Sequence, residues 1–394
     1  MNYNYPDRNN STIAIRLMCA IVFLLFAFAW LYFFQSDMMA ALQHVLSGGL
    51  TRYHRLTYTV IIVAVLVVVQ QVCYAVFRLR KRSHALSYLP SMLLLAVISD
   101  INADFDLHFS IGAWLWVFPL ILVVWIGMAV IARFLQQVEP EHEPCGLFSK
   151  AMCFNLLFMV LMVLGVALVG NTNAVFHYRM SAEARMVEGN YAAALKTGEK
   201  SLESDEHLLM IRMYALSREH LLGERLFTYP ITGSSETILP TNGKARLVYY
   251  PADSLYRFLG ARPVGQMQPM RYLQLLAKRD STVSRQVADY ELCGLLIDKR
   301  LDDFVARLKR YYALGDSLSA DDLPRHYREA LTLYTHLRAH PIMVYHNNVM
   351  EEDYANLRTL EKQYADPRER QGNVEEHYRG TYWYYYEYVE QTEV

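Results

Sequence analysis

Apolar residues are distributed in two ways along this chain. From residue 12 to 170 they come in long, nearly unbroken runs, and from 173 to 394 they recur every three or four positions among charged residues. A membrane span needs about 20 consecutive apolar residues. The runs at 12–34, 57–77, 111–131 and 151–170 meet that length. A fifth run, "LSYLPSMLLLAVIS" at 86–99, is shorter and contains Pro90, so spanning and re-entrant readings both stand. The first run lacks the small-residue cleavage site of a removed signal peptide and reads as a retained span.

Loop charge orients the runs, because Lys and Arg collect on the cytoplasmic side. "RLRKRSH" after the second run carries Arg78, Arg80, Lys81 and Arg82, and is expected inside. The loop "SDINADFDLHFS" at 99–110 has no Lys or Arg and is expected outside, which favours a spanning 86–99. Five spans follow, with residues 173–394 on the outer face. The segment 35–50 is mildly amphipathic and is expected to lie on the membrane surface, ending at Gly48 and Gly49.

The second half reads as paired helices. "EGNYAAALKTGEKSLESD" (188–205) has the order of a tetratricopeptide hairpin. Gly189 and Asn190 make the turn, Tyr191 wedges between the helices, and Ala194 and Ser201 share a face of the second helix. A preceding helix over 174–187 presents Tyr178, Ala182 and Arg185. Further helices are expected over 208–227 and 287–314, from Pro324 through "RHYREALTLYTHL", and over 350–365. One clean apolar stripe runs Leu301, Phe304, Val305, Leu308, Tyr311, Tyr312, and another Tyr327, Ala330, Leu331, Tyr334, Leu337. Residues 228–253 have no such period and read as a long loop, a feature that is often functional in a compact domain. The chain is therefore expected to be all-α: a polytopic membrane domain of about five spans (1–172), then a tetratricopeptide-like α-hairpin solenoid (173–394).

Composition adds exclusions. A net charge of −1 argues against a nucleic-acid footprint. Four of the five cysteines sit in or beside apolar runs and only Cys293 falls in the second half, so no disulfide is available there. No GxSxG, HExxH, GxxxxGKS, GxGxxG or CxxC spacing occurs, so no cofactor is expected. His326, His336, His340 and His346 lack metal spacing and read as surface residues.

Two stretches carry candidate chemistry. In the acidic loop, Asp100, Asn102, Asp104, Asp106 and His108 alternate with apolar residues. An extended chain would put their ligand atoms on one face, as a hard cation prefers. An EF-hand needs Gly and Glu where Phe105 and Ile111 stand, and the competing reading is a solvated loop resting on the bilayer. At the C-terminal end, Tyr382, Trp383, Tyr384, Tyr385, Tyr386 and Tyr388 form a dense aromatic run. It is expected either to pack on the last hairpin or to offer Tyr382, Trp383, Tyr385 and Tyr386 to a partner. In the second span Gln70 and Gln71 are expected to hydrogen-bond to a neighbouring helix.

Three stretches, "LQHVLSGGLTRYHRLTYTVII", "REALTLY" and "GTYWYYYEY", resemble a group of Bacteroides-group membrane proteins known only as a domain of unknown function. The resemblance implies an inner-membrane protein of a two-membrane bacterium with its C-terminal domain in the periplasm. It brings no catalytic residues. The leading expectation is a non-enzymatic scaffold anchored in the lipid bilayer, whose helical domain binds another envelope protein. The rival is an enzyme or transporter component acting on a lipid or glycan through the acidic loop at 100–108.

Overall fold

The computed structural model describes residues 7–107, 112–136, 149–279, 283–312 and 322–390, and among them every regular element is helical. The chain divides into two compact units, Met1–Asn173 and Ala174–Val394.

Unit 1 is an apolar bundle. Helix α1 (Asp7–Ala29) runs on through a π-helical turn, Trp30–Phe34. It is followed by α2 (Ser36–Leu46) and α3 (Arg55–Phe77). A 3₁₀ segment, Lys81–Tyr88, leads into α4 (Leu89–Ser99), and α5 (Trp114–Leu135) and α6 (Lys150–Val169) complete the unit. Among the described residues, four helices are long and apolar enough to cross a membrane: Ile13–Phe34, Arg55–Phe77, Trp114–Leu135 and Lys150–Val169. Their outward residues, such as Leu120, Val123 and Phe134, are exposed large apolar side chains of the kind lipid covers.

The segment 81–99 is the most enclosed part of the bundle, and its hydrogen bonds fix its direction. Near its start, Ala85 N–H donates to Asn155 Oδ1 (2.7 Å) at the beginning of α6. At its end, Trp30 Nε1–H at the far end of α1 donates to Ser99 Oγ (2.8 Å), and Asn171 N–H, just past α6, donates to Ser99 O (2.9 Å). The segment thus runs alongside α1 and α6 from one end of the bundle to the other. Helix α5 runs the opposite way, with Trp114 bonded to Asp100, Trp125 to Leu86 O and Gln136 to Arg80 O. At about 2.0 Å per 3₁₀ residue and 1.5 Å per α residue, 81–99 covers roughly 32 Å. The 3₁₀ stretch makes up for the short apolar run. A broken helix in an apolar bundle requires side chains to satisfy its backbone and hydroxyl groups. Asn155 caps Ala85, and Gln70 donates to Ser87 Oγ (3.1 Å), which donates to His84 O. Gln70 therefore bonds across helices as expected, whereas Gln71 faces outward.

Unit 2 is built around three helices buried on almost every side: α9 (Glu206–Arg218), α13 (Arg285–Ile297) and α15 (Arg325–Leu337). Smaller amphipathic helices wrap them. Helices α7 (Ala174–Val187) and α8 (Tyr191–Lys196) form the first hairpin, with Gly189 at φ +77° and Asn190 capping α8 through Ala193 N–H (2.9 Å). Between α9 and α13 come α10 (Leu222–Arg225), α11 (Ala252–Leu259) and α12 (Pro269–Arg279). Helix α14 (Leu301–Tyr311) buries Leu301, Phe304, Val305 and Leu308 as its stripe requires. Helices α16 (Asn348–Gln363), α17 (Pro367–Tyr378) and α18 (Tyr382–Tyr388) close the unit.

Two sequence expectations change. The second helix of the tetratricopeptide-like hairpin stops at Lys196, so Ser201 is not on it. Thr197 is extended and Gly198 turns at φ +63°, with Tyr178 packed where a Cβ would stand. Leu337, expected on the inner stripe of α15, is exposed because the helix ends there.

Candidate functional site

The acidic loop does not gather its oxygens. It coils into turns, with Phe105 N–H donating to Asn102 O and Leu107 N–H to Asp104 O, so the extended alternation is absent. Ile101 and Phe105 point inward, while Leu107, expected with them, is exposed. Asp100 accepts from Trp114 Nε1–H (2.7 Å), and Asn102 Oδ1 accepts from Asp104 N–H. His108 lies outside the described residues. Among the described residues, no three His, Cys, Asp or Glu side chains are grouped to hold a metal ion.

The aromatic run forms α18 and is largely consumed by packing. Tyr382, Trp383 and Tyr385 are buried, so they present no surface to a partner; Tyr386 alone of the four is half-buried. Their polar atoms reach interior acceptors: Tyr382 Oη–H to Leu296 O (3.3 Å), Tyr385 Oη–H to Ile297 O (2.7 Å) and Trp383 Nε1–H to Glu329 O (2.7 Å). Phe227, in the 3₁₀ turn after α10, meets Tyr382 edge-on and Tyr385 at a tilt, with ring centroids 5.0 and 4.9 Å apart.

Beneath α18 lies a buried pair, one member of which, His326, was expected at the surface. His326 is fully buried, not exposed, and only His336, His340 and His346 are at the surface. Phe227 N–H donates to His326 Nε2 (3.3 Å), which leaves the ring proton on Nδ1 facing Glu329 Oε2 (2.8 Å). Glu329 also accepts from Tyr382 N–H (2.7 Å) and Arg325 Nε–H (2.8 Å). Both imidazole nitrogens and both carboxylate oxygens thus have protein partners, and the dyad ties α15, α18 and the Phe227 turn together. His326 and Glu329 are three apart on a helix buried almost all round, a width that the apolar stripe alone does not reveal.

Other interior carboxylates do the same. On α13, Asp289 accepts from Tyr312 (2.6 Å) and Tyr327 (3.0 Å), and Glu291 accepts from Tyr311. Burial raises the Asp289 carboxyl against the pull of these hydroxyls and Arg285, and burial likewise raises the Cys293 thiol beside Tyr327. On α7, Glu183 Oε2 accepts three backbone N–H bonds, from Val248, Tyr249 and Tyr250 (2.9, 2.6 and 2.8 Å). Burial pushes its carboxyl up to about 7, while those N–H groups and Arg179 pull it down. Glu183 is what fixes the irregular stretch before α11. That stretch is an inward-packed strap rather than a solvent loop: Ile238, Leu239 and Ala245 are buried, and Ser235 donates through N–H (2.9 Å) and Oγ–H (2.6 Å) to Asp298.

A family model described as "Family of unknown function (DUF6057)" matches residues 264–389, from just before α12 to the end of α18. The match contains the Asp289, Glu291 and His326–Glu329 anchors and the aromatic helix, and it covers less than half of the chain. Comparison with curated proteins and with solved structures gives no match.

Proposed function

We propose that this chain is a membrane-anchored scaffold, in which five passes hold a helical interaction domain on the outer face of a bacterial inner membrane. The observation that carries the reading is the division of one chain into an apolar bundle and a separately packed helical unit with its own core. Five passes are favoured by the end-to-end course of 81–99 beside α1 and α6. The bundle end that holds Arg16, Arg78, Arg80, Arg82, Arg133 and Lys150 is basic, and the opposite end holds Asp37, Asp100, Asp104 and Asp106 with two arginines, Arg52 and Arg55. The first of these ends fits the cytoplasmic face, and the chain leaves the bundle for unit 2 from the other. Paired helices such as α7–α8 and α13–α14 suit a tetratricopeptide-like role in holding another envelope protein. Interior acids and histidine serve the fold in this reading, so binding falls to outward residues such as Lys309 and Arg310 on α14.

The test compares two variants by site-specific photo-crosslinking from the α14 face in intact membranes. Replacing Lys309 and Arg310 by Glu should abolish a discrete crosslinked species and leave insertion intact. Replacing Asp100, Asp104 and Asp106 together by Asn should leave it unchanged. The scaffold reading fails if the triple Asn variant reproduces the phenotype of gene deletion while the α14 variant behaves as wild type.

A further inference from the structure

One outward face of unit 2 is basic and apolar at once. Residues 257–285 contain six Arg or Lys and one acid, Asp280, in a chain whose net charge is −1. Helix α12 turns Tyr272, Leu273 and Ala277 into the core and leaves Arg271, Leu275, Lys278 and Arg279 exposed, the spacing of a single helix face. Arg257 on α11 is also exposed. Arg257, Arg271, Lys278 and Arg279 make no ion pair with any described residue, whereas Arg262 is held by Asp253 and Arg285 lies 3.7 Å from Asp289. The turn joining the two helices carries Val264 at its tip, 99% exposed and flanked by Gly265 at φ +156°. The turn is anchored to α12, since Tyr272 Oη–H donates to Ala261 O. The ends of α11 and α12 and the start of α13 meet at a shallow cleft lined by Leu259, Gly260, Leu276, Arg279, Ser284 and Val287. Of the four unpaired cations, Arg279 borders that cleft, next to the end of α11.

We infer that this α11–α12 face docks on the headgroup surface of an anionic phospholipid bilayer. Unpaired cations along the exposed face of α12, with Leu275 among them and Val264 exposed in the turn before it, match a planar anionic interface. Each Lys or Arg adds attraction to the headgroups, and Val264 and Leu275 enter the boundary between headgroup and acyl chain. An acidic polypeptide would gain from the same cations but would leave Val264 in water, which makes lipid the better fit. The inference rests on the membrane reading of unit 1 but not on its orientation or on any protein partner.

The experiment is hydrogen–deuterium exchange on the full chain in nanodiscs, either of zwitterionic phosphatidylcholine alone or with about one third anionic phosphatidylglycerol. Incorporation into discs, read by size exclusion, checks the membrane reading separately. Amides of 257–279 should exchange about tenfold more slowly in the anionic discs, an order of magnitude for several cations acting together. The effect should vanish in about 0.5 M salt, where screening is short-ranged. It should also vanish in Arg271→Glu/Lys278→Glu/Arg279→Glu, whose α13 and α15 amides stay as protected as in wild type because the changed residues are exposed. Equal exchange in both discs overturns the inference. So does protection that polyglutamate induces in zwitterionic discs and anionic lipid does not, which would assign the face to an acidic protein segment.

Discussion

Phe304 is fully buried and meets the Tyr327 ring at 5.5 Å, with Tyr327 in turn bonded to Asp289. Replacing Phe304 with Ala removes a core ring and leaves a cavity, at about 3–5 kcal/mol. Urea unfolding of residues 174–394 should show that loss. Glu183 gives a prediction with a definite sign. Its carboxyl rises from the ordinary 4.5 to about 7 in the fold, so the folded state binds a proton that the unfolded state releases first. The contribution to stability is complete below about pH 4.5 and is lost as pH rises through 7, by up to about 3 kcal/mol. Unfolding midpoints of the unit should fall between pH 5 and 8, and Glu183→Gln should flatten that slope. An unchanged slope in the variant would show that other groups set it.

At the scale of elements, the α7–α8 hairpin separates two glycines that look alike in sequence. Gly189 and Gly198 both adopt positive φ, +77° and +63°. A Cβ on Gly189 meets open space, but on Gly198 it would stand 2.7 Å from Tyr178 ring atoms. Both Ala variants carry the backbone strain of about 1–3 kcal/mol, and Gly198→Ala adds a steric clash. Its thermal midpoint should therefore fall clearly below that of Gly189→Ala; equal midpoints would mean that Tyr178 moves aside freely. The hairpin also shows how far periodicity reaches. Gly189–Asn190 was legible because turn geometry is local, and the α14 stripe because one face of it is solvated. The length of α8 was not legible, since Tyr178 lies a whole hairpin away from Gly198. His326 was read as a surface residue for a related reason: α15 is buried on nearly all sides, so its polar positions are interior ones with partners contributed by α18 and Phe227. The strap before α11 has no period at all, and residues distant in sequence, Glu183 and Asp298 among them, hold it in place.

For the whole molecule, the number of passes decides where unit 2 works. Composition alone gives four apolar helices of spanning length, and an even number would return unit 2 to the side of the amino terminus. The segment 81–99 is the fifth pass of the proposed arrangement. Its 3₁₀ half lengthens it to roughly 32 Å, close to the ~30 Å thickness of a bilayer core. Its start is bonded to Asn155 near the beginning of α6, and its end to Trp30 past α1 and Asn171 past α6. A re-entrant segment would begin and end at the same level, and the Ala85–Asn155 and Ser99–Trp30 bonds lie at different ones. Five passes put residues 140 and 394 on opposite sides, with 140 on the side of the basic end. Alkaline phosphatase and green fluorescent protein fusions report the two sides in complementary fashion. Fusion after residue 140 should fluoresce and lack phosphatase activity, and fusion after residue 394 should do the reverse. The Asn155→Leu variant adds a second reading. Without its cap on Ala85 the 3₁₀ half loses a buried hydrogen bond, at about 1–3 kcal/mol, and a fraction of molecules should switch the 394 fusion to fluorescence if this segment fails to cross. The reverse pattern in the unmodified chain, phosphatase activity after residue 140 and fluorescence after residue 394, would return the bundle to four passes and unit 2 to the cytoplasm.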